Sequence, residues 1–254
     1  MTPLLLAALA AVTAVPTPAD APKPPPGTPV PGGAVVSPDA KLVFVPAKDG
    51  GVEALELATG KVAWTNPDAK KLAGASGRLV VAWVADEKKP NTFRVVVIES
   101  ATGKTVVKSD AVEMPEWATT ARTWGRTFRT AARAEADPVV VVWEARASYA
   151  GGARPAPEIE KAARKEATGV VTVDLQTGKV KVLDRKPAAD EFKPGPGGAF
   201  NTKAGDYEFR ATEAIPKFKP GAAMVTTVTL TVLKGKDELW SRELAGNPWS
   251  PPPP

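Results

Sequence analysis

The chain of 254 residues contains no cysteine and no histidine, and only two tyrosines and three methionines. Without cysteine there is no disulfide to staple a fold and no thiolate to act as nucleophile. Without histidine the commonest general base is missing, and the two absences together remove the usual zinc ligands. No charge of one sign dominates. The net charge of +5 and the pI near 9.3 are a mild surplus that favours solubility but does not mark a nucleic-acid surface. No Asp-x-Asp-x-Asp-Gly run is present to form a calcium loop. Paired carboxylates for hydrolysis are also hard to find, because Asp49, Glu53, Asp86, Glu87 and Asp206 all read as turn residues.

Long apolar runs are scarce as well. The stretch Leu4 to Val12 is too short to span a bilayer, and residues 1–14 read as a signal peptide ending at Val12-Thr13-Ala14. Ala19-Asp20-Ala21 is a second cleavage option, and a buried N-terminal helix is the alternative reading, since no Lys or Arg precedes the apolar run. Export to the outside or to the periplasm or cell envelope is expected, with no transmembrane segment left after cleavage. Proline is plentiful, with 27 residues. It concentrates in a linker, residues 15–33, and in a tail, residues 247–254, both expected to be solvated extended segments.

Between them, residues 34–246 carry a repeat. Leu55-Glu56-Leu57-Ala58-Thr59-Gly60-Lys61 is echoed by Ile98-Glu99-Ser100-Ala101-Thr102-Gly103-Lys104 and by Val173-Asp174-Leu175-Gln176-Thr177-Gly178-Lys179. Each copy lies between two β-branched runs, so each reads as a hairpin whose Gly supplies positive φ and whose acid accepts loop hydrogen bonds. Glu56, Thr59, Gly60, Trp64, Glu99, Thr102, Gly103, Asp174, Thr177 and Gly178 are therefore expected to be structural turn residues. A degenerate fourth turn falls at Gly235, so the glycines stand at 60, 103, 178 and 235, spaced by 43, 75 and 57 residues. Periods of this length, with about four strands each, suit propeller blades. The fold expected is all-β: a small or incomplete β-propeller of about four antiparallel units with one short inserted helix. That helix, within residues 155–169, has proline before it, acids in its first turn, bases in its later part and Gly169 to close it.

Residues 117–134 allow two readings. As a helix they would set Trp117, Trp124 and Phe128 opposite Arg122, Arg126, Arg129 and Arg133, a basic amphipathic face. As a strand, favoured by the poor helix formers Gly125 and the threonines, they pair with the valine run after Asp137-Pro138. Trp124, Arg126 and Arg129 are the possible contact residues in this segment. Trp83, Trp117 and Trp143 could also supply contacts, although packing between units is their expected task.

The three copies, with Leu55-Glu56, Thr59-Gly60 and Trp64 the fullest, resemble the quinoprotein-type propeller repeat. Val107 and Val182 stand where the first unit has Trp64, and Trp240 follows the fourth turn. The resemblance implies either a scaffold or a quinone-dependent dehydrogenase, but the enzymes are far longer and use adjacent cysteines beside the quinone. The expectation is an exported non-catalytic binding or scaffold protein, without a cofactor, holding a protein or polysaccharide through its rim loops. A reduced quinone-dependent oxidoreductase is the alternative.

Overall fold

The computed structural model describes residues 27–121, 125–134, 137–151, 155–188, 191, 201–214, 224–225, 227–244 and 248–249. The signal segment, the first part of the Pro-rich linker and Trp124 lie outside these residues.

The fold is all-β, with four antiparallel sheets of four or five strands in simple meander order. The first holds β1 (Thr28–Val30), β2 (Ala34–Val36), β3 (Leu42–Pro46), β4 (Val52–Glu56) and β5 (Val62–Asn66). The second holds β6 (Lys71–Ser76), β7 (Leu79–Ala85), β8 (Thr92–Glu99) and β9 (Thr105–Glu113). In the third, β10 (Arg126–Arg133) and β11 (Val139–Ala147) are followed by the helix α1 (Pro157–Ala163), then β12 (Lys165–Val173) and β13 (Val180–Leu183). The fourth holds β14 (Asn201–Ala204) and β15 (Tyr207–Ala214), passes over a short β16 (Met224–Val225), and continues with β17 (Thr227–Lys234) and β18 (Asp237–Leu244). A last strand, β19 (Pro248–Trp249), pairs with β16, so the start of the Pro-rich tail is hydrogen-bonded. The linker contributes in the same way: Pro29 pairs with Val35, and Val30 and Pro31 are buried.

The sheets pack in the order fourth, first, second, third, and strand alternation explains how. In β7, Leu79, Val81 and Trp83 join one core while Val80 and Ala82 join another. In β8, Phe93, Val95 and Val97 share the first of these cores, and Val96 and Ile98 the second. A strand covered on both sides must be apolar on both, which is why Leu79 to Val84 is an unbroken run. The core between the second and third sheets is completed by Val139, Val141, Trp143, Ala145, Val171 and Val173. The core between first and second adds Phe44, Val52, Ala54 and Trp64. The core between first and fourth joins Val43, Val45, Leu55 and Leu57 to Phe209, Leu230, Val232 and Leu244.

Residues 126–133 are a strand, and the amphipathic-helix reading is set aside for them. Phe128 and Ala132 pack on the core shared with the second sheet, and β10 pairs with β11 along its full length. The sequence does not single out the strands β1, β2, β6 and β14. Close approach accounts for β6: a Cβ on its Gly74 would lie 2.8 Å from the Ala132 carbonyl of β10, and one on Gly27, just before β1, would lie 2.6 Å from the Val36 carbonyl. Residues chosen for close approach lack the β-branched signature of a strand.

Candidate functional site

The three Thr-Gly corners are built alike. Thr59 Oγ1 donates to Glu56 Oε2 at 2.7 Å, Thr102 Oγ1 to Glu99 Oε2 at 2.6 Å, and Thr177 Oγ1 to Asp174 Oδ1 at 2.7 Å. The amides of Gly60, Gly103 and Gly178 donate to the carbonyls of Glu56, Glu99 and Asp174 at 2.8, 2.9 and 2.9 Å, with φ of 68°, 73° and 72°. A residue with a Cβ would pay for that left-handed backbone, so glycine is required. Asp174, one carbon shorter than the glutamates, also accepts from the amides of Gln176 and Thr177 at 3.0 and 2.7 Å. The Thr177 hydroxyl and amide hold its carboxyl below the usual carboxylate range.

These corners join sheets. The Trp64 indole donates to the Ser100 carbonyl at 2.8 Å, and its ring lies on Gly103. The Trp240 indole donates to the Leu57 carbonyl at 2.8 Å, and its ring lies on Gly60, tying the fourth sheet to the first. Val107 lies on Gly178, and the Asp110 amide donates to the Gly178 carbonyl at 2.9 Å. A Cβ on Gly235 would meet nothing within 4 Å among the described residues, and Val182 is 72% exposed.

The place suited to a ligand lies elsewhere. Pro157 starts α1, Glu158 and Glu160 occupy its first turn, and the helix stands beside the end of the β10–β11–β12 meander. Between helix and sheet end is a cleft of about 840 Å³ lined by Arg126, Arg146, Ser148, Tyr149, Arg164 and Lys165, among others. Two carboxylates, Glu160 and Glu166, face the four cations there. Glu160 pairs with Arg164 one helical turn on, and Glu166 lies 3.6 Å from Arg146. Behind the cleft, Glu144 is buried at 3% exposure within β11. Arg129 Nε donates to its Oε2, and Arg146 pairs with its Oε1. Oε1 receives no hydrogen bond of good angle, so that second contact is electrostatic attraction alone.

The contact residues named from sequence therefore separate. Arg126 lines the cleft, Arg129 is a structural partner of Glu144, and Trp124 is outside the described residues. Trp83 and Trp143 are buried in the core between the second and third sheets, and Trp117 packs against it. Glu53 is not a turn acid: it lies within β4 and pairs with Arg242 of β18, while Lys48 pairs with Glu243. Asp86 is a turn acid, accepting from the Lys88 and Lys89 amides at 2.9 and 3.2 Å. Sequence reasoning missed Glu144 and the cleft. The available signal was an acid inside the valine run of β11, flanked in register by Arg129.

Among the described residues no three carboxylates gather to hold a metal ion. No helix among the described residues is long and apolar enough to cross a membrane. Compared with known proteins, the chain matches no protein-family model and no curated protein.

Proposed function

We propose that this chain is an exported, non-catalytic binding protein built on a small, open propeller of quinoprotein-like repeats, its four sheets acting as blades. The three matching corners, each packed under a side chain of the neighbouring sheet, support the repeat reading. The observation that carries the binding role is the rim cleft under α1. It is formed by the helical insertion between β11 and β12, and insertions on a rigid repeat scaffold are where recognition loops are placed. The ligand class is a polysaccharide or a protein segment held in that cleft.

A glycan array and affinity capture from envelope extract, run with the full chain and with Ser148→Trp, test this. Ser148 is exposed and lines the cleft, so an indole there blocks it without disturbing a core. Binding that Ser148→Trp abolishes, with an unchanged circular dichroism spectrum, is the expected result. Binding that the variant leaves intact would place recognition elsewhere and overturn the reading.

A further inference from the structure

The cleft has a charge arrangement that selects among ligands. Arg126, Ala147 and Lys165 are register partners on three neighbouring strands, β10, β11 and β12, so they stand in one row across the sheet. Two strand spacings separate the outer members, about 10 Å. The small Ala147 side chain leaves the space between them open. Every other charge on the cleft wall is engaged: Arg164 by Glu160, and Arg146 by Glu144 and Glu166. Arg126 and Lys165 make no side-chain ion pair or hydrogen bond among the described residues. Two unengaged cations at a fixed spacing call for two anionic groups on one extended ligand.

We propose that the cleft binds an acidic polysaccharide, with Arg126 and Lys165 each meeting an anionic group on separate sugar units of the chain. This rests on the binding-protein reading above and names the ligand of the same cleft. The rest of the wall fits a sugar polymer. Thr127 and Ser148 bring hydroxyls, and Tyr149 brings an aromatic face with a polar tip. An acidic peptide fits less well. A peptide strand cannot add to β10 beside Ala132, whose carbonyl lies against Gly74 of β6. The wall also offers no deep apolar pocket for a side-chain anchor, its aliphatic members being Ala147 and Pro155.

The test is equilibrium binding of the full chain to polygalacturonate, with neutral dextran and poly-glutamate as comparisons. Polygalacturonate should bind, dextran should not, and poly-glutamate should bind more weakly than polygalacturonate. The double variant Arg126→Gln/Lys165→Gln should lose about tenfold in affinity, and raising the salt should weaken the wild type more than the variant. Both residues are exposed, so the variant should fold, as a circular dichroism melt would check. Ala147→Glu, which sets a carboxylate between the two cations, should abolish binding. Unchanged affinity in the double variant, or tighter binding of poly-glutamate than of polygalacturonate, overturns the proposal. A neutral glycan or a protein whose binding Ser148→Trp abolishes would sink the acidic-ligand proposal while leaving the binding-protein reading standing. No ligand affected by Ser148→Trp sinks both.

Discussion

The two middle sheets and the two end sheets obey the same hairpin grammar but live in different surroundings. In the first and second sheets both faces are apolar, because Val43 and Val45 enter one core while Phe44 enters another, and Val80 and Val81 divide likewise. In the fourth sheet only one face is apolar. Phe209, Leu230 and Val232 point to the first sheet, and Arg210, Thr212 and Ser241 stand exposed on the other side. The third sheet gives one face to the second and carries on the other the buried Glu144 with its two half-exposed arginine partners. The corners follow suit: Gly60, Gly103 and Gly178 each lie under a neighbour's side chain, and Gly235 lies open. A repeat motif thus fixes the shape of a turn, and its neighbour decides what the turn is worth.

The sharpest way to test that difference is to remove the docking side chains. Trp64→Ala empties a site that is 8% exposed and breaks the bond to the Ser100 carbonyl, so it should cost about 3–5 kcal/mol. Val182→Ala, at the equivalent but open position, should change stability by less than about 0.5 kcal/mol in the same urea titration. Equal losses would erase the distinction between joined and open corners.

A second test addresses the ion pairs behind the third sheet. Arg129→Ala leaves Glu144 buried with one fewer partner and should cost about 3 kcal/mol. Restoring it with Glu144→Gln in the same chain should recover a good part of that loss, since the uncompensated charge is gone. No recovery in thermal melts would mean that Arg129 acts through packing instead.

Glycine substitutions come next in size. Gly103→Ala meets both a left-handed backbone and the Trp64 ring, whose nearest atom is 2.6 Å from the new Cβ, and should cost about 2–4 kcal/mol. Gly235→Ala meets only the backbone penalty at φ 66°, about 1 kcal/mol. The gap between the two variants measures the sheet contact directly.

The smallest effect concerns acid. Arg185 donates two hydrogen bonds of 2.7 Å to Glu191 and holds its carboxyl down at about 2. A carboxylate with a lowered folded-state pKa stabilises fully above its ordinary value, and that stability is lost as pH falls toward 2. Arg185 is 40% exposed, so solvent screening reduces the contribution to about 1 kcal/mol. The melting-temperature gap between wild type and Glu191→Gln should therefore be present at pH 6 and shrink toward pH 2.5. A gap independent of pH would assign the effect to hydrogen bonding alone.

Much of this molecule was legible in its residues. Thr59-Gly60, Thr102-Gly103 and Thr177-Gly178 announced three hairpins because a turn's demands are local: a positive φ, an acid acceptor and a hydroxyl donor. The start of the helix at Pro157 was readable for the same reason, but its end was not: it stops at Ala163, and Gly169, expected to close it, lies within β12. Strand β6 was not, because Gly74 and Ala75 are chosen for close approach to β10 and to Gly27, a demand that exists only after folding. The cleft was likewise hidden. Arg126 and Lys165 are 39 positions apart in the chain, and only strand register sets them on either side of Ala147.

The chain by itself determined the hairpins, the alternation of apolar residues and the lack of thiol and imidazole chemistry. Each of these depends on neighbours in sequence or on composition alone. Tertiary structure decided which sheets meet, which corner stays open, and which arginines are held by Glu144 rather than offered to a ligand. Those outcomes depend on long-range register and burial, where the same side chain becomes an anchor or a contact according to what packs against it.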